Sequence, residues 1–153
     1  ERETHHPDEE PHTCGDSEVM ILGLGRFGGA ILELLQENKI KSAGFDSNTD
    51  LVKSFIKKNR RVAFADAEDP GFWSKLRFGK LRVIILALPE YEAQKRSIIQ
   101  ARKYGFDGKI IVPSRTKEDT NELEVLGADI IFDAYEAAAI GISDSLVKNI
   151  GDS

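Results

Sequence analysis

From Val19 onward the chain alternates short apolar runs with amphipathic stretches, and it keeps that alternation to the end. The runs near 19–24 (VMILGL), 41–46 (KSAGFD), 61–65 (RVAFA), 82–88 (RVIILAL), 109–113 (KIIVP) and 129–133 (DIIFD) read as strands. VMIL, VIILAL and KIIV are apolar at successive positions, the pattern of strands covered on both faces. Helices are expected near 26–38, 48–59, 90–104, 117–126 and 134–148; in the first, Phe27, Ile31, Leu34 and Leu35 fall on one stripe. The crossover around 68–79 contains Pro70 and Gly79 and predicts a turn or two of helix at most. Six strands joined by crossovers of this size predict an α/β protein, a Rossmann-type doubly wound six-stranded parallel sheet spanning 19–153. Residues 1–18 (ERETHHPDEEPHTCGDSE) show no period, hold two Pro and are crowded with acids, and read as an acidic linker.

Composition narrows the chemistry. The 153 residues are 41% hydrophobic, enough for one globular domain with a core. No apolar run nears the ~20 residues that cross a bilayer, and no basic-then-apolar leader opens the chain, so neither a span nor a secretion signal is expected. The single Cys fits a reducing compartment. Seven acids and one base place −6 of the net −5 charge in residues 1–18, which leaves the remainder at +1. Without a broad basic field, nucleic acid is not an expected partner. His5, His6, His12 and Cys14 all lie in the first 18 residues, so the other 135 hold no His and no Cys. That excludes Ser-His-Asp and Cys-His catalysis and His-ligated metal sites within the domain. The spacing H-H-x5-H-x-C matches no standard zinc pattern, and no metal is expected.

The sharpest motif is VMILGLGRFGG, where Gly23, Gly25 and Gly28 satisfy G-x-G-x-x-G after the first strand and at the start of the first helix. In that context the first glycine permits a tight turn, the second lets a phosphate approach the backbone and the third allows close helix–strand packing. Free N–H groups at the helix N-terminus then face the anion. Leu24, Arg26 and Phe27 belong to the same turn. A cation in a first helical turn opposes the macrodipole, and a bound phosphate would reverse the sign for Arg26. Asp46 ends the second strand, 18 residues after Gly28, where a carboxylate accepts from ribose hydroxyls and repels a 2′-phosphate. Its competing reading is a cap on the next helix, a role also open to Ser47 or Asn48. Asp66, ending the third strand, is a candidate for the adenine amino group or for a turn cap. Tyr91 and Lys95 stand at Y-x-x-x-K, the spacing of short-chain dehydrogenases, in which the lysine lowers the tyrosine pKa. That family's glycine turn is spaced differently and its chains are longer, so an enzyme is not expected here.

The run ILGLGRFGGAILELL, the acid in GFDSN, the segment ADAEDPGFW and the later KIIVPSRTKEDTNELEVLGADIIFDAYEAAAIGI together resemble the KTN domains (RCK N-terminal, TrkA-N) that regulate potassium channels and transporters. They look most like the cytosolic C-terminal domain of Kef-type potassium efflux antiporters. The resemblance covers about residues 19–150. It implies a phosphate-binding turn at Gly23, Leu24, Gly25, Arg26, Phe27 and Gly28, a ribose contact at Asp46 with Ser47 beside it among the cofactor-binding residues, and adenine contacts at Asp66 and Ala67. Ala87 and Leu88 would line the pocket, with Arg115 as a basic contact. The implied ligand is AMP or NAD(H), bound without turnover. The implied partners are a transmembrane antiporter domain of the same polypeptide, at the cytoplasmic face of the inner membrane, and a second copy. Glutathione-gated members carry a basic residue where Glu33 stands, which argues against glutathione. Alternative readings are a free-standing nucleotide sensor acting on another partner and an NAD-dependent oxidoreductase. The dimer has its own support in AYEAAAIGISDSLVKNIG, whose Ile140, Ile142, Leu146, Val147 and Ile150 supply more apolar surface than one sheet hides.

Overall fold

A computed structural model of the chain describes residues 15–114 and 117–151. The elements run β1 (Val19–Leu22), α1 (Arg26–Glu37), β2 (Ser42–Asp46), α2 (Thr49–Lys57), β3 (Val62–Phe64), α3 (Pro70–Lys75), β4 (Val83–Leu86), α4 (Tyr91–Lys103), β5 (Lys109–Ser114), α5 (Lys117–Leu126), β6 (Ile130–Asp133) and α6 (Ala134–Gly151). Each expected strand and helix is present, and the interrupted crossover holds the six-residue α3. Local chemistry explains the starts. The Asn48 side chain accepts from the Leu51 N–H to open α2, and Asp69 accepts from Gly71 N–H ahead of Pro70, whose fixed φ and missing donor suit a first helical position.

All neighbouring strands pair in parallel, in the order β3-β2-β1-β4-β5-β6, so the chain reverses direction between β1 and β4. Right-handed crossovers then force α1 and α2 onto one face and α3, α4 and α5 onto the other. Side-chain alternation matches this division. Met20, Leu22, Ile84, Leu86, Ile110 and Val112 pack with Phe72, Trp73, Ile98 and Leu123, while Ile21 packs with Leu32 and Phe55.

The second face is covered only in part. A row of register partners runs Ile21, Ile85, Ile111, Ile130 across β1, β4, β5 and β6. Exposure is 0% at Ile21, beneath α1, and 43% at Ile130, with Phe132 at 50%. No described residue of α6 is buried, so this last helix does not cover the open half.

Of the segment 1–18, residues 1–14, including His5, His6, His12 and Cys14, lie outside the described residues. Residues 15–18 are tied to the sheet. Ser17 is buried, Glu18 N–H donates to the Lys41 carbonyl, and the Asp16 carboxylate pairs with Lys41 at 2.7 Å and Arg61 at 3.0 Å. Among the described residues no group of His, Cys, Asp and Glu is placed to hold a metal, and no helix is long and apolar enough to cross a membrane.

Hydrogen bonds from Lys41 and then Arg61 hold the Asp16 carboxyl at about 2, below its ordinary 3.8. A depressed carboxyl pKa stabilises the fold above the unfolded-state value, and that contribution disappears as pH falls from 3.8 towards about 2. Asp16→Asn is therefore expected to melt below the parent near neutral pH, the two melting curves converging across that acid window. Circular dichroism melts over the acid limb check this; a gap that does not change with pH contradicts it.

Candidate functional site

The carboxyl ends of the strands open into one cavity of about 1090 Å³, at the fork between β1 and β4. Its geometry starts at the glycine turn. Gly23 has φ +99°, and a Cβ there would stand 2.5 Å from the Ala87 carbonyl oxygen. At Gly28 a Cβ would stand 1.8 Å from the Gly23 carbonyl oxygen, so α1 passes the end of β1 at a distance only glycine allows. Gly25 differs. Its φ of −68° lies outside the left-handed region that favours glycine, and a Cβ there would meet nothing within 4 Å. The fold makes no steric demand for glycine at this position, and the free space lies in the cavity that Gly25 lines.

Gly25 is also the N-cap of α1 and supplies no side chain to its first amides, and the first turn carries no acid. In α2, α3 and α6 the opening amides are capped by Asn48, Asp69 and Asp133. Helix α4 also has no side-chain cap bond, and its Glu90 and Tyr91 line the same cavity. Uncapped helix N-termini concentrate donors and partial positive charge at the cavity floor. Arg26 and Phe27 stand exposed at its rim.

Asp46 reaches the cavity with its carboxylate already fixed. Oδ2 accepts the Leu24 N–H at 2.7 Å and Oδ1 the Asn48 N–H at 2.8 Å. Asn48 rather than Asp46 caps α2, so Asp46 ties two loops together and keeps further lone pairs for ligand hydroxyls. In Asp66, Oδ1 accepts the Glu68 N–H at 2.9 Å. The Ala67 carbonyl is used inward, accepting from the buried Trp73 Nε1 at 2.7 Å and Ser97 Oγ at 3.3 Å.

Of the residues singled out in the sequence, Gly23, Gly25, Arg26, Phe27, Asp46, Ser47, Asp66, Ala67, Ala87 and Leu88 line the cavity. Leu24 and Gly28 support it from behind, Leu24 with its side chain in the core and its N–H on Asp46. Arg115 lies outside the described residues. The cavity also takes in Gln94, Ser114, Asp119, Tyr135 and Ala138, which sequence reasoning missed. Gln94 had a signal: it shares a buried stripe with Ser97, Ile98 and Ala101 on α4, a polar residue at an apolar spacing.

Tyr91 and Lys95 share a helix face, but Glu122 of α5 governs both. Tyr91 O–H donates to Glu122, and Lys95 pairs with Glu92 at 3.3 Å and Glu122 at 3.4 Å. The Glu122 carboxylate pushes the phenol up to about 12, opposite to the shift that proton transfer from a tyrosine needs.

Residues 19–134 match the family described as the TrkA-N domain. The chain is 27% identical over 130 residues to a protein named as the K(+) efflux antiporter KefB of Alkalimonas amylolytica, a match covering 84% of this chain and 20% of that protein. It is 26% identical over 133 residues to the Ktr system potassium uptake protein C of Bacillus subtilis, covering 86% of this chain and 60% of that one. The chain thus spans about a fifth and three-fifths of these two relatives. Among solved structures, the NAD(P)-binding domain of an exopolyphosphatase-related protein from Archaeoglobus fulgidus superposes with a TM-score of 0.80 at 17% identity, covering 86% of this chain and 98% of that one. The Kef C-terminal domain of Shewanella denitrificans in its AMP-bound form gives 0.66 at 17% identity, over 88% and 82% of the two chains. The GsuK channel bound to NAD gives 0.68 at 16% identity, over 76% of this chain and 21% of that one. At these identities the structural likeness shows a shared fold.

The glycines separate by substitution. Gly28→Ala is expected to cost at least about 1–3 kcal/mol of stability, because α1 must move off β1. Gly25→Thr is expected to stay within about 0.5 kcal/mol of the parent, since threonine caps a helix about as well as glycine and meets open space. Urea unfolding of both variants measures the contrast, and an equal loss in the two would contradict the geometry.

Proposed function

Because the chain belongs to the TrkA-N domain family, we propose that it is a regulatory domain that binds an adenine nucleotide, AMP or NAD(H), without turning it over and thereby controls a potassium transporter. The observation that carries this reading is the space above Gly25: a glycine the fold does not need, at the uncapped end of α1, beside a carboxylate already oriented by two backbone amides. A phosphate fits the first two features and a ribose the third. The relatives named for potassium efflux and uptake, and the like-folded structures bound to AMP and NAD, support the same ligand class and setting.

The transporter is proposed to be an antiporter whose membrane part belongs to the same polypeptide, which puts this domain at the cytoplasmic face of the inner membrane. The domain acts as a pair. Tyr135 and Ala138 line the cavity, and the stripe they begin on α6 continues through Ile142, Leu146 and Ile150, all exposed. A second copy would bury this stripe together with the open half of the sheet, since symmetric pairs are the usual answer to self-complementary apolar surface. Ligand at the cavity would then bias the pair through the first turns of α6, by differing in affinity between two arrangements.

Calorimetry tests the ligand. Gly25→Thr is expected to abolish AMP binding while remaining folded. Asp46→Ala is expected to weaken AMP and NAD roughly tenfold or more, with NADP poor in the parent and no worse in the variant. Unchanged affinity in Gly25→Thr, or a parent that prefers NADP, would overturn the assignment. Light scattering tests the pair: the parent should show twice the chain mass of 17.0 kDa, and Leu146→Asp should show the single chain.

A further inference from the structure

Much of the cavity lies beyond the glycine turn, over the ends of β4, β5 and β6, and its floor holds a side chain that the phosphate and ribose contacts do not use. Gln94 is 6% exposed. Its Nε2 donates to the Leu88 carbonyl at 2.8 Å and to the Pro113 carbonyl at 3.1 Å, at the ends of β4 and β5. Both amide protons are thereby used, and the orientation of the group is forced. Turned over, Oε1 would face two carbonyl oxygens with no proton between them. Oε1 is therefore directed away from the strand ends, toward the cavity that Gln94 lines, and among the described residues it accepts no hydrogen bond. It is not sealed in, whereas Oε1 of Gln100, further along the same helix, is buried without a partner.

A dinucleotide laid across the fork of such a sheet sets its pyrophosphate on the glycine turn and its two nucleosides on opposite sides. Asp46 and Asp66 mark the adenosine side at β2 and β3, so the second nucleoside falls over β4 and β5, where Gln94 presents a fixed acceptor. A fixed amide oxygen suits an uncharged N–H donor and opposes a carboxylate, which offers it no proton.

Resting on the adenine-nucleotide reading above, we propose that Gln94 is the specificity residue of this half-site. Its Oε1 accepts a hydrogen bond from the primary amide of a nicotinamide group, and so selects a dinucleotide bearing a carboxamide over one bearing a carboxylate. AMP fills only the adenosine side and is indifferent to this contact.

The test uses the intact chain titrated with AMP, NAD and nicotinic acid adenine dinucleotide, which differs from NAD in having a carboxylate in place of the amide. The expected result is NAD binding at least about tenfold tighter than its acid analogue, the cost of leaving a buried acceptor unpaired or opposed. Gln94→Met, checked for folding by circular dichroism, should bring that ratio close to one. Equal affinities in the parent overturn the inference, and so does a ratio that survives in Gln94→Met. If the variant does not fold, the parent's ratio decides. AMP binding with equal dinucleotide affinities defeats this inference alone, whereas absence of binding by all three defeats the nucleotide reading beneath it as well.

Discussion

The closeness with which α1 passes the end of β1 governs everything at the carboxyl edge of the sheet. Two backbones meet there with Gly28 against the Gly23 carbonyl, and Gly23 in turn lies against the Ala87 carbonyl, so three elements converge without a side chain between them. That contact places the uncapped amides of α1 over the fork between β1 and β4 rather than out in solvent. Asp46 depends on it too, since its carboxylate reaches the Leu24 N–H only because the turn is this tight. The resulting carboxylate is already oriented, which lowers the entropic cost of any ligand it receives.

What the sequence reveals follows from how local each cause is. The glycine spacing and the acid ending β2 act within one βαβ unit, and ten of the residues they and the resemblance point to line the cavity. Leu24 belongs to the turn, yet it contributes through its backbone N–H while its side chain enters the core with Leu32 and Phe55, a distinction no spacing rule draws. Tyr135 and Ala138 join the site because the strand order brings β5 and β6 beside β4, and strand order is not written in any one segment. The pair Tyr91 and Lys95 shows the reverse case. Its spacing was legible, but the carboxylate that sets its chemistry is contributed by Glu122, 31 residues away from Tyr91.

The sheet is asymmetric in a way its topology requires. Crossovers to the left of β1 put two helices on one face, those to the right put three on the other, and the β4–β6 half of the first face is left to whatever follows β6. In this chain α6 follows, and it turns its apolar residues outward instead of folding back. The exposed sheet and the exposed helix are therefore one unresolved packing problem, and its near end adjoins the cavity at Ala134 and Tyr135.

The anchoring of residues 15–18 has a mechanical side. These residues lead directly into β1, an interior strand hydrogen-bonded to β2 on one side and β4 on the other, and the Asp16 pairs hold the approach against Lys41 and Arg61, the residues just before β2 and β3. Tension applied along this part of the chain would load both ladders of β1 in shear at once, instead of unzipping an edge strand one bond at a time. A pull there would be felt by the sheet as a whole, and the cavity sits at the far end of the strand that carries the load.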